Sequence, residues 1–321
     1  MKKKLLAIAL STIGAVGAVQ AGAVAQSRLD ITNLILRNDL GGAVLTAAQF
    51  DVLQITDTTN LNPTLTPGGA NPYTNSTSGG APLPLTVVCV PVACPPALTA
   101  PGPFGNATTP ATVNGALAAS ELNGAPIAGL TTGSPPVAIP VGLNARTNAV
   151  AERTTTGTGN TTAALSTAVQ FSFSPTSDIA IRIDFNAVEH LLAFLDSQTN
   201  AFAGASWNVH IQDQAGATVF DWTPNGLAGG ITGGTEILDP CSLTRSVTAF
   251  GPSANFTQDC AGSFSARTNL LLAANTYNAS ITHQNQANVL VAQAVPEPSM
   301  LSLLGLALAG IGFTARRKSK A

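Results

Sequence analysis

From Ala168 onward the chain repeats one pattern: short runs alternating apolar and polar residues, each followed by turn residues. In Val169-Gln170-Phe171-Ser172-Phe173, residues Val169, Phe171 and Phe173 share one face, because successive side chains of a strand point to opposite sides. After Ser174-Pro175-Thr176 the alternation resumes, with Ile179, Ile181, Ile183 and Phe185 inward and Arg182 and Asp184 outward. Trp207-Asn208-Val209-His210-Ile211 and Thr218-Val219-Phe220-Asp221-Trp222 flank a turn over 212–216 and predict a hairpin. Further strands are expected over 246–250, 264–266, 277–282 and 289–291. The stretch 187–195 fits either a helical turn, through Leu191, Leu192 and Leu195, or another strand. Short strands at near-regular spacing, without βα alternation, predict an all-β protein: an antiparallel β-sandwich or jelly roll. Its main body is expected over 166–293, with its first strands over 26–57, where 29–36 and 50–55 read as strands.

Between Asn60 and Asn144 the character changes. Fifteen of the 21 prolines fall there, and Glu121 is the only charge between Asp57 and Arg146. Proline at this density breaks helices and central strands. We therefore expect a low-complexity, loop-rich insertion over 58–165, serving as a spacer or as a Thr-rich surface for O-linked glycans.

Both ends read as addresses rather than fold. Met1-Lys2-Lys3-Lys4, an apolar run over 5–19 and the small residues Ala23-Val24-Ala25 form a secretory signal peptide over 1–25. Cleavage is expected between Ala25 and Gln26, with Val19-Gln20-Ala21 as the alternative site. At the other end Val295-Pro296-Glu297-Pro298-Ser299 precedes an uncharged run over 300–315 and then Arg316, Arg317, Lys318 and Lys320. As a helix that run would be about 24 Å long, short of the ~30 Å hydrocarbon core but able to cross it with snorkelling basic side chains. The cations behind it favour the cytoplasmic side, which places the body outside the inner membrane.

The tripartite tail over 295–321 resembles the PEP-CTERM sorting signal of Gram-negative bacteria, whose pattern is Val-Pro-Glu-Pro-Ser/Thr, a Leu/Gly-rich helix and an Arg/Lys cluster. The resemblance implies exosortase as the processing partner, removal of the tail near the Pro-Glu-Pro motif, and release or transfer to the cell surface or extracellular matrix. Proteins with this tail are associated with exopolysaccharide and with biofilm or floc formation. The tail implies no catalytic role for the body.

Without its two ends the body keeps seven of the 14 basic residues and 15 of the 16 acidic ones, a net charge near −8. No lysine lies between Lys4 and Lys318, so nothing suggests nucleic acid as a partner. The even set Cys89, Cys94, Cys241 and Cys260 suits an oxidising compartment, and we favour the local disulfides Cys89–Cys94 and Cys241–Cys260. No metal site or other cofactor is expected, since the spacing lacks the Cys-x-x-Cys pattern and His190, His210 and His283 are dispersed.

Catalytic signatures are absent from the sequence: there is no Gly-x-Ser-x-Gly elbow, His-Glu-x-x-His or phosphate loop. Glu189-His190 could act as an acid–base pair, and Asp213 and Asp221 could face each other across the hairpin as glycosidase carboxylates. Ordinary structure and turn chemistry explain them more simply. Trp207 and Trp222 could contact sugars, although their phase with neighbouring apolar residues favours the core. The expected function is a secreted, noncatalytic structural or adhesive protein of the surface or matrix. The alternatives are a carbohydrate-binding module for exopolysaccharide and, behind it, a polysaccharide hydrolase.

Overall fold

The computed structural model describes residues 22–39, 42–95, 98, 103–107, 113–154, 159–195, 199–251, 253–273 and 275–291. Most of the predicted leader and the whole predicted C-terminal helix lie outside them. In chain order the first strands are β1 (Ala23–Asn38), β2 (Phe50–Thr66), β3 (Gly69–Ala70), β4 (Tyr73–Ser78), β5 (Leu83–Val90), β6 (Gly115–Asn123), β7 (Thr131–Thr132), β8 (Val137–Ala138) and β9 (Leu143–Arg153). They are followed by β10 (Gly159–Pro175), β11 (Ile181–Leu195), β12 (Thr199–Asp213), β13 (Thr218–Trp222), β14 (Ile231–Thr232), β15 (Gly234–Leu238), β16 (Arg245–Gly251), β17 (Ala254–Thr268) and β18 (Tyr277–Val291).

Two antiparallel sheets face each other. One has seven strands in the order β15-β17-β11-β1-β9-β6-β5; the other has nine, β14-β13-β12-β18-β10-β2-β3, with β16 paired to β12 and β4 to β2. The chain changes sheet between β1 and β2 and at each step from β9 to β12, so long strands of the two layers stack along the molecule. The expected all-β antiparallel sandwich is present, and 187–195, left open between turn and strand, belongs to β11.

The loop-rich insertion is corrected. Within 58–165 lie most of β2, all of β3 to β9 and the first turn-proximal residues of β10. Prolines are accommodated where a missing N–H does little harm. Pro84 sits in β5 at the edge of its sheet, beside a register shift between Leu83 and Thr86. Beyond β5, Cys89 and Cys94 close a five-residue separation, and Leu98 and Phe104 pack against Leu117, Ala119 and Val150 on the outside of the seven-stranded sheet.

The interior is divided. One apolar cluster gathers large side chains, including Phe173, Phe185, Trp207, Trp222 and Phe264; Phe185 and Phe264 stack at 5.0 Å, and Trp207 meets Trp222 edge-on at 5.5 Å. The other cluster is mostly alanine, with Leu165, Leu191 and Leu195 among them, and it holds both Ala23 and Val291. The start of β1 and the end of β18 therefore leave the sandwich at the same end.

Candidate functional site

Between the two apolar clusters runs a belt of buried polar side chains. Thr147 Oγ1 bonds His283 Nε2 at 2.6 Å and Asn285 Oδ1 at 2.9 Å; Asn285 Nδ2 donates to Ser27 Oγ, and Ser27 donates to the Gly204 carbonyl at 2.7 Å. Thr59 and Ser120 join the sheets at 2.7 Å. Burial keeps His283 neutral, lowering its pKa to about 3. Burial also raises Asp57 to about 7, and no hydrogen bond reaches its Oδ1. Glu189 is raised to about 7 by burial as well, against the opposing pull of Arg245, with which it forms an ion pair.

The outer faces of the two sheets differ in kind. On the seven-stranded sheet Arg37 and Arg182 both reach Asp184, at 3.1 and 2.9 Å; Arg146 sits 3.7 Å from Asp30, and Arg267 pairs with Asp39 at 3.1 Å. The nine-stranded sheet presents amides and hydroxyls instead. One cross-strand row reads Asn60, Ser166, Gln284 and Ser206, and the next reads Asn62, Ala164, Gln286, Gly204 and Ser246. With strands ~4.8 Å apart, such a row from β2 to β16 is roughly 20 Å wide. Side chains alternate so that every second residue of β2, β10, β18 and β12 points out, which turns a Thr/Asn/Gln/Ser-rich sequence into a continuous polar plane.

A groove of about 620 Å³ crosses these rows, and Arg245 is the single charged residue lining it. Gly204 makes the groove. A methyl group there would come within 2.9 Å of Phe202 Cζ, so the Phe202 ring lies against the bare glycine backbone. Phe202 is half-buried and also lines the groove. Sequence reasoning passed over it; the signal was the only aromatic residue among the outward positions of its strand, placed two residues before a glycine.

The residues singled out from sequence within the sandwich each have a place. Trp207 and Trp222 are 1% and 0% exposed, and Trp222 Nε1 donates to Glu236 Oε1 at 2.9 Å. Neither can stack on a sugar at the surface, which corrects their candidate role. Cys89 is bonded to Cys94 and Cys241 to Cys260, with Cα separations of 5.1 and 6.0 Å. Ala25 and Gln26 lie inside β1, both fully buried. The residues Val295, Pro296, Glu297, Pro298 and Ser299 and the basic stop Arg316, Arg317, Lys318 and Lys320 lie outside the described residues.

The side chains of the enzymatic readings are engaged with other partners. Glu189 points into the core while His190, its neighbour, pairs outside with Asp259 at 2.6 Å. Asp213 accepts from the amides of Ala215 and Ala217, both at 2.9 Å, and so closes the turn. Asp221 stands opposite His210 and bonds its Nδ1 at 2.8 Å. Ser280 is the next residue across from His210. Among the described residues no cluster of three His, Cys, Asp or Glu side chains could hold a metal ion. No helix among them is long and apolar enough to cross a membrane.

No curated protein matches the chain. Among solved structures, a chain of infectious bursal virus-derived T=1 particles aligns at 11% identity over 88% of this chain and 80% of its own. Its TM-score of 0.11 carries no argument about fold or function. The PEP-CTERM protein-sorting motif matches residues 294–318, beyond the last described strand. That motif implies export, exosortase as the processing partner, and membrane-associated sorting toward the cell surface. The chain therefore carries a PEP-CTERM protein-sorting motif at residues 294–318.

Proposed function

We propose that the body is a noncatalytic structural and adhesive component of the cell surface or extracellular matrix, acting in biofilm or floc formation. The observation that carries this reading is the set of amide and hydroxyl rows across the nine-stranded sheet, none of whose members is charged. It is wide, built on rigid strands, and stands on a protein whose body is otherwise acidic. Such a surface can exchange many hydrogen bonds with a hydrated neutral polymer without desolvating charge, which is the expensive step in burying polar groups. The geometry of the chain ends suits sorting. From Val291, where β18 ends, nine residues reach Met300 at the start of the apolar run, a span of at most ~32 Å, so the sandwich is tethered near the membrane until the tail is cut. Deleting the gene should reduce aggregation or matrix content; unchanged aggregation, matrix content and surface properties would remove the proposal.

A second reading, carbohydrate binding, is favoured by one feature. Phe202 and Gly204 give the groove an apolar ring beside amide donors and acceptors, the combination that sugar rings and hydroxyls require. The host's own exopolysaccharide is the proposed ligand. Co-sedimentation of the exported protein with that polymer tests it: retention that drops on Phe202→Ala supports groove binding, and equal retention of both proteins refutes it.

A further inference from the structure

We infer that the export signal is cut between Ala21 and Gly22, leaving β1 intact, rather than between Ala25 and Gln26. The inference rests on the export reading of the N-terminus and makes it specific. Both bonds follow small residues at the first and third positions before the cut, Ala21 and Val19 in one case and Ala25 and Ala23 in the other, so the recognition pattern alone does not separate them.

The fold does separate them. β1 is the central strand of the seven-stranded sheet, paired with β11 on one side and β9 on the other. Ala23 is opposite both Leu195 and Arg153, Val24 opposite Phe194 and Glu152, and Ala25 opposite Ala193 and Ala151. All three are 0% exposed. Ala23 and Ala25 face the alanine-rich cluster, and Val24 packs on Leu192 at the outer face. A cut before Gln26 would strip these residues from between two strands and leave the backbone groups of 151–153 and 193–195 that face β1 without ladder partners.

It would also create a charged amine at Gln26, which is fully buried. The Gln26 side chain is already committed: Nε2 donates to the Gly105 carbonyl at 2.7 Å and to Asn148 Oδ1 at 2.9 Å, and Oε1 accepts from Ala107 N–H at 2.6 Å. Burying an ammonium is among the costliest changes a core can carry. Hydrolysis at Ala21–Gly22 places the new amine before the strand, with the Ala21 carboxylate leaving on the signal peptide.

The placement also orders events. β9 and β11 begin more than a hundred residues after β1 ends, so β1 has no partners while the leader crosses the membrane. The peptidase therefore acts on an extended chain, before β1 is enclosed.

N-terminal sequencing and intact mass of the protein from its native host test the inference. The exported chain is expected to begin at Gly22, and Ala21→Leu is expected to accumulate uncut precursor. An exported chain beginning at Gln26, or normal processing of the Ala21→Leu protein, overturns the inference while leaving export itself standing. A chain that keeps Met1 in the cytoplasm overturns the export reading and the inference together.

Discussion

Replacing Asp57 with Asn should flatten the dependence of stability on pH between about 4.5 and 6.5. Asp57 lies on β2 with its side chain inward, 2% exposed, opposite Val169 on β10. Burial raises its pKa from 3.8 to about 7, so the folded state holds a proton that the unfolded chain releases above pH 3.8. Stability from this group is complete below 3.8 and declines as pH rises, until the folded carboxyl ionises near 7. Three units at ~1.4 kcal/mol each give a loss of about 4 kcal/mol. Glu189, raised from 4.5 to about 7, adds a second proton of the same sign. His283 works the other way: its pKa falls from 6.5 to about 3, so its contribution is lost as pH drops below 6.5. Across 4.5 to 6.5 the three leave a net excess of one proton on the folded state. Burial raises Asp239 as well, with the same sign, so the wild-type protein should lose at least roughly 1.4 kcal/mol per pH unit across that window, and Asp57→Asn should lose about 1.4 kcal/mol per unit less. Urea unfolding at several pH values, read by the fluorescence of buried Trp207 and Trp222 with the disulfides intact, measures both slopes. Equal slopes in the two proteins would refute the placement of a protonated Asp57 in the core.

Three other perturbations follow from the same geometry. Arg245→Ala leaves Glu189 buried without its cation and should destabilise by about 3–5 kcal/mol at pH 8, and by clearly less at pH 5, where Glu189 takes up a proton; a loss independent of pH in denaturant titrations would contradict the pairing. Gly204→Ala pushes a methyl group against the Phe202 ring and should weaken retention on exopolysaccharide several-fold with little change in stability, so unchanged retention in a sedimentation assay would count against the groove. Replacing Cys241 and Cys260 together with Ser opens a loop of 19-residue separation and should cost about 3 kcal/mol in urea unfolding, whereas no loss would mean the unfolded chain is not constrained by that link.

How much of this was legible in the sequence depends on what fills the core at each point. The stretches of β10 to β13 that meet the aromatic cluster, such as 169–173, 181–185, 207–211 and 220–222, carry Val, Phe, Ile or Trp at every second position, and their alternation predicts them directly. Their partners in β6 and β9 bury Ala116, Ala118, Ala149 and Ala151, small residues that occur just as readily in loops. The polar belt blurs the pattern further, because inward positions such as Thr59, Thr147 and Asn285 read as solvent-facing until their partners across the sandwich are known. Proline density then tips the reading toward loop, although Pro84 only marks a sheet edge. The start of β1 is hidden for a related reason, since Ala23-Val24-Ala25 satisfies a signal peptidase and a packed strand alike. The groove was invisible because it depends on neighbours from β2, β10, β18, β12 and β16 meeting in register. The disulfides, by contrast, were legible from loop length alone.

The central claim is that this sandwich is delivered to the surface by removal of its C-terminal tail. Intact mass and C-terminal peptides of the native protein, taken from envelope and medium fractions, test it most directly. The account predicts a C-terminus within 295–298 in the surface or medium fraction, with the peptides of 300–321 absent. A full-length chain that still carries 300–321 and stays in the inner membrane would contradict it.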